Sequence, residues 1–357
     1  MSDITEALTQ AVADACGRHP SSAGASGTVE WNVPLWSALD QIGITLLSVP
    51  EDRGGSDGDL VTAAAVLEIL GEHSATVPFA ETAMLAGWLL AECSAPIPAG
   101  PMTAAVAGPD VTLVEDAGGW VLNGELARVP WGRHADHLVL LVGRHVVTVH
   151  RDEVDLRPGA NLAGEPRDDV ALHRLAVPAD RVHPLPADSA VDARLFAARG
   201  VVGRLAMMAG AARRSLEMSL AYASERHQFG RPIGGFQSVQ QQVAAMAAEV
   251  LLCKVAAQSA AQALDSGADW ELAVAAAKVS AGSAAGTVAR IAHQVHGAIG
   301  FTDEHDLRRS TTRIWSWRDE FGSVGEWARE LGTLAAAAGA DGLWPLLTEG
   351  GARAVAG

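Results

Sequence analysis

Lysine is nearly absent: Lys254 and Lys278 are the two lysines among 26 basic residues, set against 42 acidic ones, for a formal charge of -16 and a pI near 5.1. A nucleic-acid surface needs a concentrated basic face, so that class of partner is excluded. Aromatic residues are scarce too, at 5% of a chain that is 49% hydrophobic. The interior must then be built from Ala, Val and Leu, which favours closely approaching helices over aromatic-rich sheets. Cysteine is confined to Cys16, Cys93 and Cys253, with no metal-like or redox spacing. That pattern indicates neither a disulfide framework nor a zinc site, and a reducing cytoplasm is the expected compartment. The N-terminus lacks a basic segment followed by an apolar core, and no uninterrupted apolar run approaches the roughly 20 residues that cross a bilayer. A soluble, unsecreted protein without membrane contact is expected. Internal repeats and low-complexity linkers are lacking as well.

What is present divides by period. At 357 residues the chain has room for two or three domains. Up to residue 97 the spacing is helical, with breaks at 19–27 and 49–58. Asp59 is placed to cap a helix over 60–71 whose Leu60, Ala64, Leu67 and Leu70 share one face. Between 101 and 186 the period becomes two, in 119–124, 136–142 and 145–150, with Gly, Asp and Pro between the runs. Such short runs describe a small antiparallel barrel or sandwich. From 189 to 338 helical spacing returns, enough for four or five long helices in a bundle. Phe236, Val239, Val243, Met246 and Val250 trace one stripe expected to be buried. The fold class is therefore α+β, mostly α: a helical domain over 1–99, an antiparallel β domain over 100–187, a bundle over 188–345 and a frayed tail over 346–357.

The most specific stretch joins two of the bundle helices: Glu225-Arg226-His227-Gln228-Phe229-Gly230-Arg231-Pro232-Ile233-Gly234-Gly235-Phe236-Gln237. It resembles the signature of the acyl-CoA dehydrogenase family, whose connection at this point projects an Arg, a small polar residue and a Phe onto the flavin of a neighbouring subunit. A second segment, His293-Gln294-Val295-His296-Gly297-Ala298-Ile299-Gly300-Phe301, resembles the family's Gln-x-x-Gly-Gly-x-Gly-Phe run. The order of domains agrees, and 78–81, Pro-Phe-Ala-Glu, resembles the family's N-terminal domain. The resemblance implies FAD as cofactor, held by Arg226, Gln228, Phe229, Gln294, Gly297 and Gly300, with Arg226 on the pyrophosphate, where a planar cation matches phosphate oxygens. It implies α,β-desaturation of an acyl-CoA thioester, which needs a carboxylate base, a flavin against the substrate and donors to the thioester carbonyl. His293 and His296, lacking a nearby third ligand, read as polar surface and not as a metal pair.

Two family features are missing. The flavin-facing loop and strand of the middle domain are replaced by Ala104-Ala105-Val106-Ala107-Gly108-Pro109-Asp110 and by Ala127-Arg128-Val129-Pro130-Trp131-Gly132. Pro130 has neither an amide hydrogen nor a hydroxyl. Trp131 suits ring packing on a flavin or core packing equally. In the family's commonest branch the base follows the penultimate bundle helix. Ungapped pairing through Gly322 and Ser323 puts Phe321 at that position and Glu320 one residue early, roughly 100° away around a helix end. A second branch draws its Glu from an earlier helix, and 198–200 here reads Ala-Arg-Gly. The resemblance therefore points to the non-catalytic type of subunit in an α2β2 acyl-CoA dehydrogenase, a kind known for bulky steroid side-chain thioesters. Two alternatives stay open: a self-sufficient tetramer with Glu320 as catalytic base, and a flavin-free scaffold.

Overall fold

The structure is a computed structural model that describes residues 3–21, 29–116, 118–267, 270–302 and 305–349. The chain forms two compact units. One comprises Asp14–Asp59 and Ala75–Gly200 and contains the two four-stranded sheets. The described residues of the other, which comprises Met1–Ala13, Leu60–Ser74 and Val201–Gly357, are mainly helical.

Helices α1 (Asp3–Arg18), α2 (Val33–Ile42) and α3 (Leu60–Glu72) appear where the helical period was read. Helix α2 starts on Asn32, whose side-chain oxygen accepts from the Leu35 amide at 3.0 Å, and stops at Gly43 with φ 87°. The break at 49–58 holds a short 3-10 turn over Glu51–Arg53. The other break falls mostly on 22–28, outside the described residues.

In the sheet-bearing unit, a π-helical segment, Ala80–Ala86, runs into α4 (Gly87–Glu92). Eight strands follow: β1 (Met102–Val106), β2 (Thr112–Asp116), β3 (Gly119–Pro130), β4 (His137–Val142), β5 (His145–His150), β6 (Asp155–Arg157), β7 (Arg167–Pro178) and β8 (Val182–Pro184). They form two four-stranded sheets, ordered β1-β4-β5-β8 and β2-β3-β7-β6. Leu122, Leu126, Val129, Val170 and Leu172 of one sheet and Leu138, Leu140, Val147 and Val149 of the other share a core. This is the sandwich that the period of two announces. One pairing departs from the antiparallel expectation: β1 lies parallel to β4, Ala104 opposite Val139. The intervening β2 and β3 belong to the other sheet, and such a crossover lets a chain return in parallel. Strand β4 is buried on both faces, Val139 and Leu141 included.

The helical unit contains α6 (Gln237–Ser266), α7 (Trp270–His296), α8 (Leu307–Arg318) and α9 (Val324–Glu349), together with α3 and most of α5 (Ala193–Glu225). Helix α9 is interrupted at Gly339, φ 69°, and continues to Glu349, so the expected tail is helical at its start; 350–357 lie outside the described residues. Small side chains set the packing. Ala256, Ala257, Ala260 and Ala261 of α6 and Ala277, Ala281, Ala284 and Ala285 of α7 are all buried, and α6 and α7 are packed along one another. Two glycines do the same between α3 and α5: a Cβ on Gly210 would lie 1.8 Å from the Glu68 carbonyl oxygen, and one on Gly71 would lie 2.1 Å from that of Met207. The first amides of α3 go to Asp265 at the far end of α6, whose carboxylate accepts from Leu60 N at 3.0 Å and Val61 N at 3.1 Å, where the sequence offered Asp59.

The expected stripe on α6 is only partly covered. Met246 is buried, whereas Phe236, Val239, Val243 and Val250 are half-buried, and Leu251, Leu252 and Val255 are exposed. Periodicity identifies a face; it does not say that the same chain covers it. By length and composition α5, α6 and α7 could each cross a membrane, but 83% of the apolar window of α5 is buried within the protein, against 28% for α6. The hydropathy of α5 thus serves the core.

Candidate functional site

The connection between α5 and α6 is a small hairpin. Strand β9 (His227–Gln228) pairs with β10 (Arg231–Pro232), and the two residues between them, Phe229 and Gly230, have φ of 51° and 78°. Two left-handed residues make the turn whose twist suits a two-residue hairpin loop. Glycine takes that conformation freely, but for phenylalanine it costs about 1–2 kcal/mol. The Phe229 ring is 93% exposed and touches Phe236 edge to face at 6.1 Å between centroids. The Arg231 guanidinium stacks on the other ring, 4.1 Å from the Phe236 centroid. Arg226 and Gln228 are exposed beside the tip. All three residues singled out in this run therefore face outward on one short projection.

At the C-terminal end of α7, Gln294 and Gly297 are exposed; Gly297 has φ 64° and open space where a side chain would be. Gly300 differs. It is buried, and a Cβ there would meet His296 and Leu307, each at 3.0 Å, so packing beneath the turn already requires its small size. His293 and His296 are not surface residues as expected: they are 6% and 3% exposed. The His293 ring stacks with both Phe301, 4.1 Å away, and Trp315, 5.5 Å away, and its Nε2 lies 2.9 Å from the Thr311 hydroxyl. His296 stacks on Tyr222 at 4.7 Å. Burial lowers both imidazole pKa values by penalising the charged form. His293 Nδ1 and His296 Nε2 are buried without a hydrogen-bond partner among the described residues. No group of three or more His, Cys, Asp and Glu is placed to hold a metal among those residues.

The turn between α8 and α9 carries Glu320 and Phe321. The Glu320 carboxylate takes a hydrogen bond from Arg204 Nε at 2.6 Å, and the Arg204 side chain is 2% exposed. Lys278, fully buried on α7, donates to the carbonyl oxygen of the same glutamate at 2.8 Å. Burial pushes the Lys278 ammonium down to about 8, against the partly opposing pull of Glu320. Phe321 follows with φ 55° and Gly322 with φ 97°. The Phe321 carbonyl accepts from Trp327 Nε1 at 3.0 Å, and its ring lies 5.3 Å from the Arg204 guanidinium carbon. Ser323 then caps α9 reciprocally with Glu326, whose carboxylate accepts from Ser323 N at 2.6 Å while the Ser323 hydroxyl accepts from Glu326 N at 3.2 Å.

At the other place where a base could sit, Arg199 Nε donates to the Met84 carbonyl at 3.0 Å, and its guanidinium lies 4.3 Å from the Trp88 ring centroid. This cation serves a carbonyl of the π-helical segment. In the middle domain Ala104 is buried in β1, and Trp131 is 3% exposed, packed against Trp31 and His134 at 6.3 and 6.0 Å. Of the two roles open to Trp131, core packing is the one observed.

Sequence reasoning missed Arg204 and Lys278 as a pair. A signal existed for each: Arg204 interrupts the apolar stretch 201–211, and Lys278, one of the chain's two lysines, lies in an Ala-rich helix. A charge in a helical core is costly unless paired.

The family description "Acyl-CoA dehydrogenase, N-terminal domain" matches residues 2–95 and "Acyl-CoA dehydrogenase, C-terminal domain" matches 193–318. Acyl-CoA dehydrogenase IpdE2 of Mycolicibacterium smegmatis is 27% identical over 313 residues, covering 86% of this chain and 91% of the relative. Acyl-CoA dehydrogenase FadE27 of Mycobacterium tuberculosis is 30% identical over 313 residues, covering 77% and 80%. Among solved structures, the ChsE4-ChsE5 complex from Mycobacterium tuberculosis superposes with a TM-score of 0.82 at 24% identity, over 94% of this chain and 98% of that one, and so shares the fold.

Proposed function

Because the chain belongs to the acyl-CoA dehydrogenase family, we propose that it is one subunit of an FAD-dependent acyl-CoA dehydrogenase and grips a flavin at the boundary with a second, related chain. The observation that carries this reading is Phe229: an apolar ring 93% exposed on a left-handed residue. A strained aromatic held out into water persists where something outside the chain uses it. Arg226 and Gln228 beside it offer a forked cation and an amide, the donor set that suits a dinucleotide pyrophosphate. Gln294 and the uncovered backbone at Gly297 suit its adenosine end. When bound, a flavin accepts the hydride that leaves the acyl β-carbon. This chain's part is to bind and orient it.

The second chain is inferred from what this one withholds. Glu320 is engaged by Arg204, Phe321 stands at the family's base position, and Arg199 stands in the other branch's place. Trp131 and Ala104 are turned into their own unit. The exposed Leu251, Leu252 and Val255 on α6 are apolar surface suited to association. The ChsE4-ChsE5 complex is a precedent in the same fold, and a second structure of that fold, the Tcur3481-Tcur3483 steroid ACAD, supports a bulky acyl group as substrate.

The test is co-expression with the acyl-CoA dehydrogenase-like chain encoded nearest to it. This chain purified alone should be colourless or weakly coloured, and the complex should be yellow and oxidise acyl-CoA. Arg226→Ala should lower the flavin-to-protein absorbance ratio of the complex. A yellow homotetramer active by itself would refute the heteromeric part; unchanged flavin content in the Arg226→Ala complex would refute the binding role.

A further inference from the structure

We infer that Arg204 and Lys278 are positioning residues that clamp Glu320 from two helices, so that its carboxylate anchors the 320–323 turn and sets the Phe321 ring in place instead of accepting a proton. This assignment rests on the family reading of that turn as the base-bearing one.

The two cations reach one residue by different handles. Arg204 on α5 takes the side chain, Nε to Oε2 at 2.6 Å, and Lys278 on α7 takes the main chain, Nζ to the carbonyl oxygen at 2.8 Å. Both cations are buried, whereas the Glu320 side chain is 15% exposed. A carboxylate that swung out to meet a substrate would break a 2.6 Å ionic hydrogen bond to a guanidinium that has almost no access to water. The clamp also explains the backbone that follows. Phe321, at φ 55°, is in a conformation that a bulky residue adopts when its surroundings over-determine it. Here they do: Glu320 is held on both handles, the Phe321 carbonyl is taken by Trp327, and Ser323 is tied to Glu326. Gly322 has no latitude either, since a Cβ there would lie 2.7 Å from Trp327 Nε1. The same guanidinium that takes the Glu320 carboxylate faces the ring of Phe321 at 5.3 Å. Charge, main chain and ring are thus interlocked, which a mobile base could not be.

Two measurements on the full chain, neither needing flavin nor a partner, test this apart from the proposed function. The first is a double-mutant cycle by urea unfolding with Arg204→Met, Glu320→Met and the double variant. A clamp predicts coupling of about tenfold or more in the unfolding equilibrium constant, the double variant being no worse than the poorer single one. Coupling below tenfold overturns the assignment. The second follows 4-fluorophenylalanine resonances; the chain has six phenylalanines, and Phe321→Leu assigns its signal by loss. Lys278→Met, which keeps the side-chain volume, and Glu320→Met should each shift or broaden the Phe321 resonance and leave those of residues remote from the turn in place. An unmoved Phe321 signal in both variants overturns the assignment.

Discussion

The ammonium of Lys278 lies 2.8 Å from the carbonyl oxygen of Glu320 and has no exposed surface. Its pKa is pushed from 10.5 to about 8. Between those values the unfolded chain binds the proton and the folded chain releases it, so this group makes stability rise with pH across that window. Below about 8 the protein carries a charged, buried ammonium, at a cost on the order of 3 kcal/mol relative to high pH. Urea unfolding of wild type and Lys278→Met at pH 7.5 and pH 10 isolates the effect. The stability difference between the two proteins should move in favour of wild type at the higher pH, and a difference that does not change with pH would contradict the assigned burial.

Where α3 crosses α5, glycine is required on both sides. Gly210→Ala would place a methyl group 1.8 Å from a backbone oxygen that no side-chain rotation can move. A loss of about 3 kcal/mol or more is expected, as in severe overpacking. Thermal unfolding checks it; a shift no larger than that of a surface substitution would mean the helices separate easily.

At the hairpin tip, stability and function should part. Phe229→Gly removes a left-handed phenylalanine whose ring is almost wholly exposed, so the isolated chain should gain about 1 kcal/mol. The complex should lose flavin. Denaturant midpoints for the chain and absorbance ratios for the complex measure the two effects separately, and a destabilised chain with full flavin retention would assign the ring a local structural role instead.

Thiol reactivity should follow burial. Cys253 is fully buried, with its pKa pushed up to about 12, Cys16 is buried, and the half-buried Cys93 is also raised by desolvation. The thiolate is the reactive form. Native protein at pH 8 should therefore release colour from Ellman's reagent slowly, and for Cys93 first, whereas urea should expose all three. Rapid reaction of Cys253 in native protein would contradict the packing of α6 on α7.

Legibility differed among the site residues. The outward placement of Arg226, Gln228 and Phe229 was readable because a hairpin between two helices is a local event, determined by Gly230 and its neighbours within a few residues. The two histidines were misjudged for the opposite reason: His293 is buried by Phe301 and Trp315, which arrive from the following turn and helix. A helical period shows that residues share a face, but what lies against that face is supplied from elsewhere. The α6 stripe failed on the same point.

The sequence by itself determined the kinds of elements, their order and the family, since helical and strand periods and a contiguous motif are encoded at short range. Only the tertiary structure decided that β1 runs parallel to β4, that Asp265 caps a helix 205 residues away, and that Glu320 answers to an arginine 116 residues distant and to a lysine 42 residues distant. The physical reason is that all three depend on elements far apart in sequence meeting in space; for Glu320 it is also the cost of burying charge, since a buried ion must find a partner and which one it finds depends on how the helices pack, not on spacing along the chain.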